Sequence, residues 1–432
     1  MEKQLKDYYQ KSGISFSDFK EENQRMAGCT KDLIVRADDV TLLSLCNVPE
    51  KQIAGKAVFY ILSPEYLDAH MNAGAALHIG KVAEEKIGKE LINEMRKTTG
   101  LMALIEGEKY LISQIAMPTL TTQAMVSGIS TINRNNLYRD LHIADALFAR
   151  NERIHFVYRE VNIAPEGQTP VIVKKIFAAL GRYFTSCPQT IISDVADLIK
   201  EEGAMGEPSV RAWQINQEFT ELYLEFPDVA EDVKEVYKLK NSITPGLYMC
   251  TSDTGSSSFI CRGVYSTGRG YVITDEVSVR HSKKIAGGEV LEDINKEVFA
   301  NVRKLPEAMA ELIGVPVTNP LWDLTTEDGN AANYAAVADV IERVAKDHFK
   351  KILPAKRLKS LTECMKDEIN SELTYTMYDV ALTFLEVSDR LKGLDATTLT
   401  EMKKAASKVP FNLVKKSKVN EEPEEEIYLM PS

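Results

Sequence analysis

Long hydrophobic runs are absent from this 432-residue sequence. A membrane-spanning helix needs about 20 consecutive apolar residues, and charged side chains interrupt every apolar stretch well before that length. The N-terminal sequence MEKQLKDYYQKSG is polar and of mixed charge, with no apolar segment after it, which is unlike a signal peptide. We therefore expect a cytoplasmic protein with no membrane partner.

Cysteine is also scarce, and its six positions are too scattered for a disulfide framework in a chain of this size. Cys250 and Cys261 lie at mirror positions about a predicted turn and would be cross-strand neighbours in a tight hairpin. With His281 they could bind zinc, but a structural zinc site needs four ligands and the C-x-x-C spacing is missing. We interpret both as buried reduced thiols and predict no metal.

The sequence lacks the motifs of several enzyme and nucleotide-binding classes. Neither G-x-x-x-x-G-K-[ST], G-x-S-x-G nor H-E-x-x-H occurs. Gly263, Gly268 and Gly270 fall within or between predicted strands, where they are interpreted as turn glycines rather than as a phosphate loop. No cofactor is therefore predicted.

Positive charge is in deficit, since 52 Lys and Arg face 63 Asp and Glu and the formal net charge is -11. A surface of this charge repels phosphate on average, which argues against non-specific binding of duplex DNA. Apolar residues make up 44% of the chain, which is enough for a large core. The length is typical of two or three domains, or of one large α+β body with insertions.

The stretch from Asn241 to His281 has the clearest strand pattern. Its sequences Ser-Asp-Thr-Gly-Ser and Ser-Thr-Gly-Arg-Gly supply residues that reverse the chain. The apolar alternation predicts four short strands, at 247–251, 258–265, 271–274 and 277–281. The predicted fold class is therefore α+β, with an antiparallel β meander packed against long amphipathic helices.

Other strands and helices are predicted on both sides of this meander. Two strands are expected around Glu106-Gly107, and another pair at 154–163 and 170–176, although the second of these could instead begin a helix that continues through Leu180. Residues 176–202 are predicted to be helical, with an interruption at Cys187-Pro188. Helical spacing predicts a helix at 211–223 and another from Leu291 to Leu305 that stops at Pro306. The predicted organisation is a polar arm at 1–30, an α+β region at 31–202, a linker at 203–210, the meander and its following helix at 211–314, a helical region at 315–415 and a disordered acidic tail at 416–432.

One part of the meander resembles a known family. The run Thr251-Ser252-Asp253-Thr254-Gly255-Ser256-Ser257-Ser258 resembles the N-S-[DE]-x-G-x-S-S core of a phage/plasmid-like family that is catalogued as a domain of unknown function, with Thr251 where asparagine is usual. Arg280-His281 is similar to that family's R-H pair, and TYTMYDVALTFLE to its C-terminal aromatic helix. Arg262 falls near its R-x-x-C-x-N-G element, whose cysteine and asparagine are absent here. The resemblance implies a phage or mobile-element origin and no established activity.

The meander also carries a cluster of polar side chains that could converge at one rim of the sheet. Together they could bind an anion or perform acid–base chemistry. Alternatively, Asp253 and the serines satisfy their own turn backbone, and Arg280 and His281 cap the meander by pairing with an acidic neighbour. The predicted rim residues are Asp253, Ser256, Ser257, Arg262, Arg280 and His281.

A second candidate site is the basic segment KDHFKKILPAKRLK at 346–359. With Tyr375 and Tyr378 it could follow a nucleic-acid backbone and stack on bases. A solvated helix face that balances the acidic remainder is the alternative. The predicted binding residues of this segment are Lys350, Lys351, Lys356 and Arg357.

These patterns favour a non-enzymatic binding protein of a phage or mobile element, acting on nucleic acid or on a host or phage protein and forming a homo-oligomer. Two alternatives stay open. The chain could be a structural protein of a virion or another assembly, and in that case its location would be the virion. It could also be an enzyme that uses the Asp253, Arg280 and His281 rim.

Overall fold

The computed structural model describes residues 5–6, 9–46, 58–62, 80–81, 87–124, 137–148, 150, 152–165, 167–185, 190–280, 286–317, 329–367, 375–386 and 393–419. Within these residues the chain forms two β-sheets that pack against helices. Most strand pairs are antiparallel, so the predicted α+β fold class is confirmed.

The larger sheet has nine of the described strands, in the spatial order β1-β9-β10-β8-β7-β4-β5-β6, with β3 also paired to β9. Only the β1–β9 and β10–β8 pairs are parallel. β3 pairs with β9 on one side and with no described strand on the other. The strands are β1 (Leu5–Lys6), β3 (Thr30–Arg36), β4 (Thr41–Cys46), β5 (Val58–Leu62), β6 (Gly80–Lys81), β7 (Leu101–Ile105), β8 (Glu108–Ile112), β9 (Arg153–Asn162) and β10 (Ile172–Gly181).

The smaller sheet has six of the described strands, in the order β15-β14-β13-β12-β11-β2. Strands β13, β14 and β15 form the predicted meander. The two short strands expected at 271–274 and 277–281 are one continuous strand, β15. The strands are β2 (Gln10–Gly13), β11 (Ser209–Asn216), β12 (Thr220–Glu225), β13 (Thr244–Thr251), β14 (Phe259–Ser266) and β15 (Tyr271–Val279).

Helices cover both sheets, and those after β15 build most of the C-terminal part. The described helices are α1 (Phe16–Cys29), α2 (Lys89–Lys97), α3 (Ala116–Gln123), α4 (Leu137–Phe148), α5 (Ile191–Glu202), α6 (Pro227–Tyr237), α7 (Gly287–Glu297), α8 (Lys304–Glu311), α9 (Gly329–Phe349), α10 (Ala355–Lys366), α11 (Met377–Glu386), α12 (Ala396–Ser407) and α13 (Val409–Val419). None of them is long and apolar enough to cross a membrane.

Both predicted hairpins of the larger sheet are confirmed. Glu106 and Gly107 have φ values of 51° and 82°, which is the positive-φ turn that joins two antiparallel strands most directly. β10 continues to Gly181, well beyond the predicted end of its strand. The alternative helix through Leu180 is therefore wrong, and the helix predicted at 176–202 is found, among the described residues, only as α5, which begins at Ile191.

The helix predicted at 211–223 is wrong, because these residues form the β11–β12 hairpin. Thr220, Leu222 and Leu224 are buried and their intervening neighbours are less so, which is the period of two that a strand requires. The Asn216 side chain accepts hydrogen bonds from the backbone amides of Glu218 and Phe219 at 2.8 and 2.7 Å and thereby stabilises the turn.

The helix predicted from Leu291 to Leu305 is also shorter than expected. α7 ends at Glu297, a short 3₁₀ turn follows, and α8 begins at Lys304. Pro306 therefore lies in the first turn of α8, where the missing backbone donor costs nothing, rather than at the end of α7.

The N-terminal segment differs from the polar arm that its composition predicts. Ser15 caps α1 by accepting a hydrogen bond from the Asp18 amide, and Phe19 and Met26 of this helix are both 0% exposed. Residues 16–29 are therefore packed into the core rather than projecting from it. At the other terminus, α13 includes 416–419, and the rest of the predicted tail lies outside the described residues. The division into domains stays a prediction.

Candidate functional site

Asp253 lies in the turn after β13, and its carboxylate contacts Arg159 of β9 rather than an open rim. One guanidinium nitrogen, Nη2, is 2.7 and 2.8 Å from the two carboxylate oxygens. Arg159 is 0% exposed and Asp253 is 3% exposed, so the ion pair is buried where the two sheets meet. A carboxylate that is buried and paired in this way is not available to a substrate.

The remaining donors of Arg159 are also used. Nη1 donates to the backbone oxygen of Gln217 at 2.7 Å and to its side-chain oxygen at 3.0 Å, and Nε donates to the Thr30 hydroxyl at 3.0 Å. The guanidinium also lies 4.6 Å from the centre of the Phe177 ring. One arginine of the larger sheet thus connects β3, the β11–β12 turn and the β13–β14 turn.

The serines of the predicted rim serve their own turn. The Ser252 hydroxyl accepts a hydrogen bond from the Thr254 amide at 3.3 Å, and the Thr254 and Ser256 hydroxyls are 3.2 Å apart. Ser257 donates to the neighbouring Ser258 carbonyl at 2.8 Å. Gly255 adopts φ +76°, and a Cβ there would lie 2.6 Å from the Leu180 side chain, so any other residue would strain the backbone and displace Leu180.

The basic residues of the rim do not join Asp253. Arg262 lies in the middle of β14 and donates through Nε to Glu276 of β15 at 2.8 Å. Arg280 follows β15 and is exposed at the same end of the sheet as Ser256 and Ser257. His281 lies outside the described residues. The structure therefore places Arg280 and the two serines at the same end of the smaller sheet. Asp253 and Arg262 are not part of this group.

Sequence reasoning missed Arg159, the partner of Asp253. The two residues are 94 positions apart, on different sheets, and no local pattern relates them. The only available signal was that Arg159 lies within the apolar strand Ile154 to Ile163, where a buried cation requires a partner.

Cys250 and Cys261 are one residue out of register across the β13–β14 hairpin. Cys250 faces Ile260, and Cys261 faces Met249, so the two thiols are not directly opposed as the sequence predicted. Both are free and buried. Burial raises the pKa of the Cys250 thiol to about 12 and that of the Cys261 thiol further still. Both side chains are therefore protonated and unreactive at neutral pH.

We expect alkylation of the native protein with iodoacetamide to leave Cys250 and Cys261 unmodified, because the thiolate is the reactive form and both groups are buried. The half-buried Cys364 is expected to react before the buried Cys29, Cys250 and Cys261. Peptide mass spectrometry before and after unfolding in urea measures the order, and the unfolded sample is the control. Native labelling of Cys261 would contradict this hairpin.

The second predicted site lies where α9 turns into α10, and we call its four cations, Lys350, Lys351, Lys356 and Arg357, the basic corner. All four side chains are exposed. Lys350, Lys351 and Lys356 have no acidic partner among the described residues. Lys356 and Arg357 lie in the first turn of α10, and this turn contains no acidic residue. The N-cap residue of the helix is Pro354, which provides no side-chain hydrogen bond. Cations at this end of a helix are unfavourable in isolation, so the local charge is one that an anion would stabilise.

Most other lysines from α9 to α13 are buried or paired within the chain, in contrast to the basic corner; among the described residues the exceptions are the exposed Lys408 and Lys415. Lys403 is buried, with its ammonium 3.0 Å from the centre of the Tyr271 ring. The ion pairs of the others are Lys346–Glu342, Lys359–Glu363, Lys366–Glu342, Lys404–Glu276, Lys416–Asp347 and Lys418–Glu311.

The tyrosines that were predicted to stack on bases lie away from this surface. Tyr378 is 0% exposed, and its hydroxyl accepts a hydrogen bond from the Asn241 amide at 3.3 Å. Tyr375 is half-buried at the wall of a separate cavity. The expected alignment of lysines and aromatic rings is therefore wrong for Tyr378, and the basic corner is purely cationic.

The cavity beside Tyr375 has a volume of about 480 Å³ and lies between the β14–β15 turn and helices α9 and α11. Its acids have cations of the same chain beside them, because Lys240 lies 3.1 Å from Asp379 and Arg269 lies 3.7 Å from Glu386. Burial raises the pKa of the Glu386 carboxyl, and Arg269 opposes that shift. These paired charges select no particular class of ligand.

No family model, no curated protein and no solved structure matches the chain. The resemblance to the phage/plasmid-like family is therefore wrong, because a true member would match a family model over the meander. The expected phage or mobile-element origin rested on that resemblance alone. Among the described residues, no three His, Cys, Asp or Glu side chains lie close enough together to bind a metal ion.

Proposed function

We propose that this chain is a nucleic-acid-binding protein that contacts the phosphate backbone through the basic corner. The observation that carries the proposal is the cluster of three lysines without acidic partners, together with Arg357, in a region where the neighbouring lysines are paired. A nucleic-acid backbone presents closely spaced negative charges, about one per 1.7 Å of duplex. Four exposed cations within eight residues fit such a ligand better than they fit a single anion.

The geometry of α10 supports the same ligand. The backbone amides of Ala355 and Lys356 have no acceptor among the described residues, and they point out of the helix N-terminus beside the basic side chains. Amides and cations together form a phosphate site, with the amides fixing position and the cations supplying most of the attraction. Because Tyr378 is buried and Tyr375 lines a separate cavity, we expect little preference for base sequence.

The net charge of -11 limits the affinity, since the rest of the surface repels phosphate. Binding should therefore be weak and confined to low ionic strength. The enzyme alternative needs Asp253 at an open rim, and the carboxylate is instead buried against Arg159. No feature of the described residues favours the virion alternative over the binding function.

The test is fluorescence anisotropy with a labelled DNA duplex and a labelled single strand at low salt. Replacing all four residues of the basic corner by alanine is expected to weaken binding at least about tenfold, because each cation releases a condensed counterion. The matched control removes four cations that form ion pairs on other parts of the surface, the partly buried Lys20 and the exposed Lys200, Lys296 and Arg303.

Both variants carry the same change in net charge, so a general electrostatic effect would weaken binding equally in the two. Weaker binding in the basic-corner variant alone supports the proposal. Equal weakening, or no binding by the unmodified protein, contradicts it.

A further inference from the structure

The outer side of β3 is an open sheet edge among the described residues. β3 pairs with β9 from Thr30 opposite Arg159 to Arg36 opposite Arg153, and no described strand lies on its other side. An edge strand presents a row of backbone donors and acceptors that can pair with another chain. Seven residues are long enough for such pairing.

The register shows which backbone groups face outward. Ala37, directly after β3, donates its amide hydrogen to the Glu152 carbonyl at 2.9 Å, so its backbone faces β9. Backbone direction alternates along an antiparallel strand, so Val35 and Leu33 also face β9. Asp32, Ile34 and Arg36 therefore direct their amide hydrogens and carbonyl oxygens away from β9.

The side chains of these three residues are exposed together on one face. The exposed fraction is 45% for the Asp32 side chain, 57% for Ile34 and 53% for the Arg36 side chain. Ile34 lies opposite His155 of β9, whose ring contacts Phe184 at a centroid distance of 5.6 Å. Ile34 therefore lies on the same face of the sheet as the His155 and Phe184 rings, at the open edge.

We propose that the protein forms a symmetric dimer in which β3 pairs antiparallel with β3 of a second copy, centred on Ile34. In this register Ile34 lies opposite Ile34 of the partner subunit, and Asp32 lies opposite Arg36 of the partner subunit. Leu33 lies opposite Val35 of the partner subunit on the other face. All three outward-facing residues then exchange backbone hydrogen bonds, and the two larger sheets become one.

Charge complementarity identifies a second copy as the occupant. In an antiparallel pair of identical strands centred on Ile34, the acidic residue of each copy lies opposite the basic residue of the other. The Asp32–Arg36 pair therefore forms twice about the symmetry axis. Shifting the centre to Leu33 would instead place Asp32 opposite Ile34 of the partner subunit. Asp32 and Arg36 also contact His155 and Asp38 of their own chain, so the charges across the interface extend existing contacts.

Sedimentation velocity over a dilution series tests this dimer. The unmodified chain is expected to sediment as twice its 48.3 kDa mass and to dissociate on dilution. Asp32→Arg places like charges opposite each other twice and is expected to weaken the dimer about tenfold. Adding Arg36→Asp restores opposite charges and is expected to recover most of the loss.

Ile34→Lys is expected to give a monomer that keeps its unfolding temperature, because a charge at the centre of an open edge blocks pairing while the side chain is already exposed. Ile14→Lys is the matched control, since Ile14 is 73% exposed but lies outside β3. A monomeric unmodified protein, or a dimer that survives Ile34→Lys, would overturn the proposal. The basic corner is not part of β3, so this dimer and nucleic-acid binding can fail separately.

Discussion

Replacing Asp253 by alanine is expected to lower the free energy of unfolding by about 3–5 kcal/mol. The substitution leaves the Arg159 guanidinium buried without its counterion, and the lost attraction cannot be replaced by water at a residue that is 0% exposed. The measurement is equilibrium urea unfolding followed by far-UV circular dichroism.

A double variant separates the ion pair from the burial of either charge. Arg159→Met combined with Asp253→Ala removes both charges, so it is expected to cost much less than the sum of the same two substitutions measured singly. The control is Arg262→Met, which breaks the partly exposed pair with Glu276 and should cost about 1 kcal/mol or less. A loss below about 1 kcal/mol for Asp253→Ala would show that the carboxylate is solvated, as the open-rim interpretation requires.

Phe19→Ala is expected to destabilise the protein by about 3–5 kcal/mol, because it leaves a cavity in the core. Phe19 is 0% exposed, and its ring centre lies 6.0 Å from that of Trp213 on β11. The cavity would therefore open between α1 and the smaller sheet. Urea unfolding again measures the change.

The matched control for Phe19 is its neighbour on the same helix. Phe16 stacks on Phe19 with a centroid distance of 6.2 Å but is only partly buried, so Phe16→Ala is expected to cost clearly less. If residues 1–30 were a projecting polar arm, both substitutions would have the same small effect.

Features that depend on neighbouring residues could be predicted from the sequence. The Glu106-Gly107 turn needs two positive φ values, and Gly107 adopts one of them without strain. The meander was predicted because its alternation and its turn residues agree. The basic corner was likewise found as a local run of charge.

The wrong predictions have two causes. Either the apolar residues fit both helix and strand spacing, or the structure depends on a contact between residues that are distant in sequence. Trp213, Ile215, Phe219 and Leu222 fit helical spacing, while the burial of alternate residues in β12 shows that strand pairing with β13 determined the structure. The Asp253–Arg159 pair depends on two sheets meeting, which no segment of the sequence specifies by itself. The predicted rim failed for that reason, since its turn residues were assigned correctly but the direction of the carboxylate was not.

The salt dependence of DNA binding tests the central proposal most directly. With four cations at the phosphate backbone, the logarithm of the association constant should fall linearly with the logarithm of the salt concentration, with a slope of about -3 to -4 for a duplex. When the four residues of the basic corner are replaced by alanine, the slope should approach zero and the affinity should fall. Binding that is absent at low salt, or a slope that is unchanged in that variant, would contradict the account.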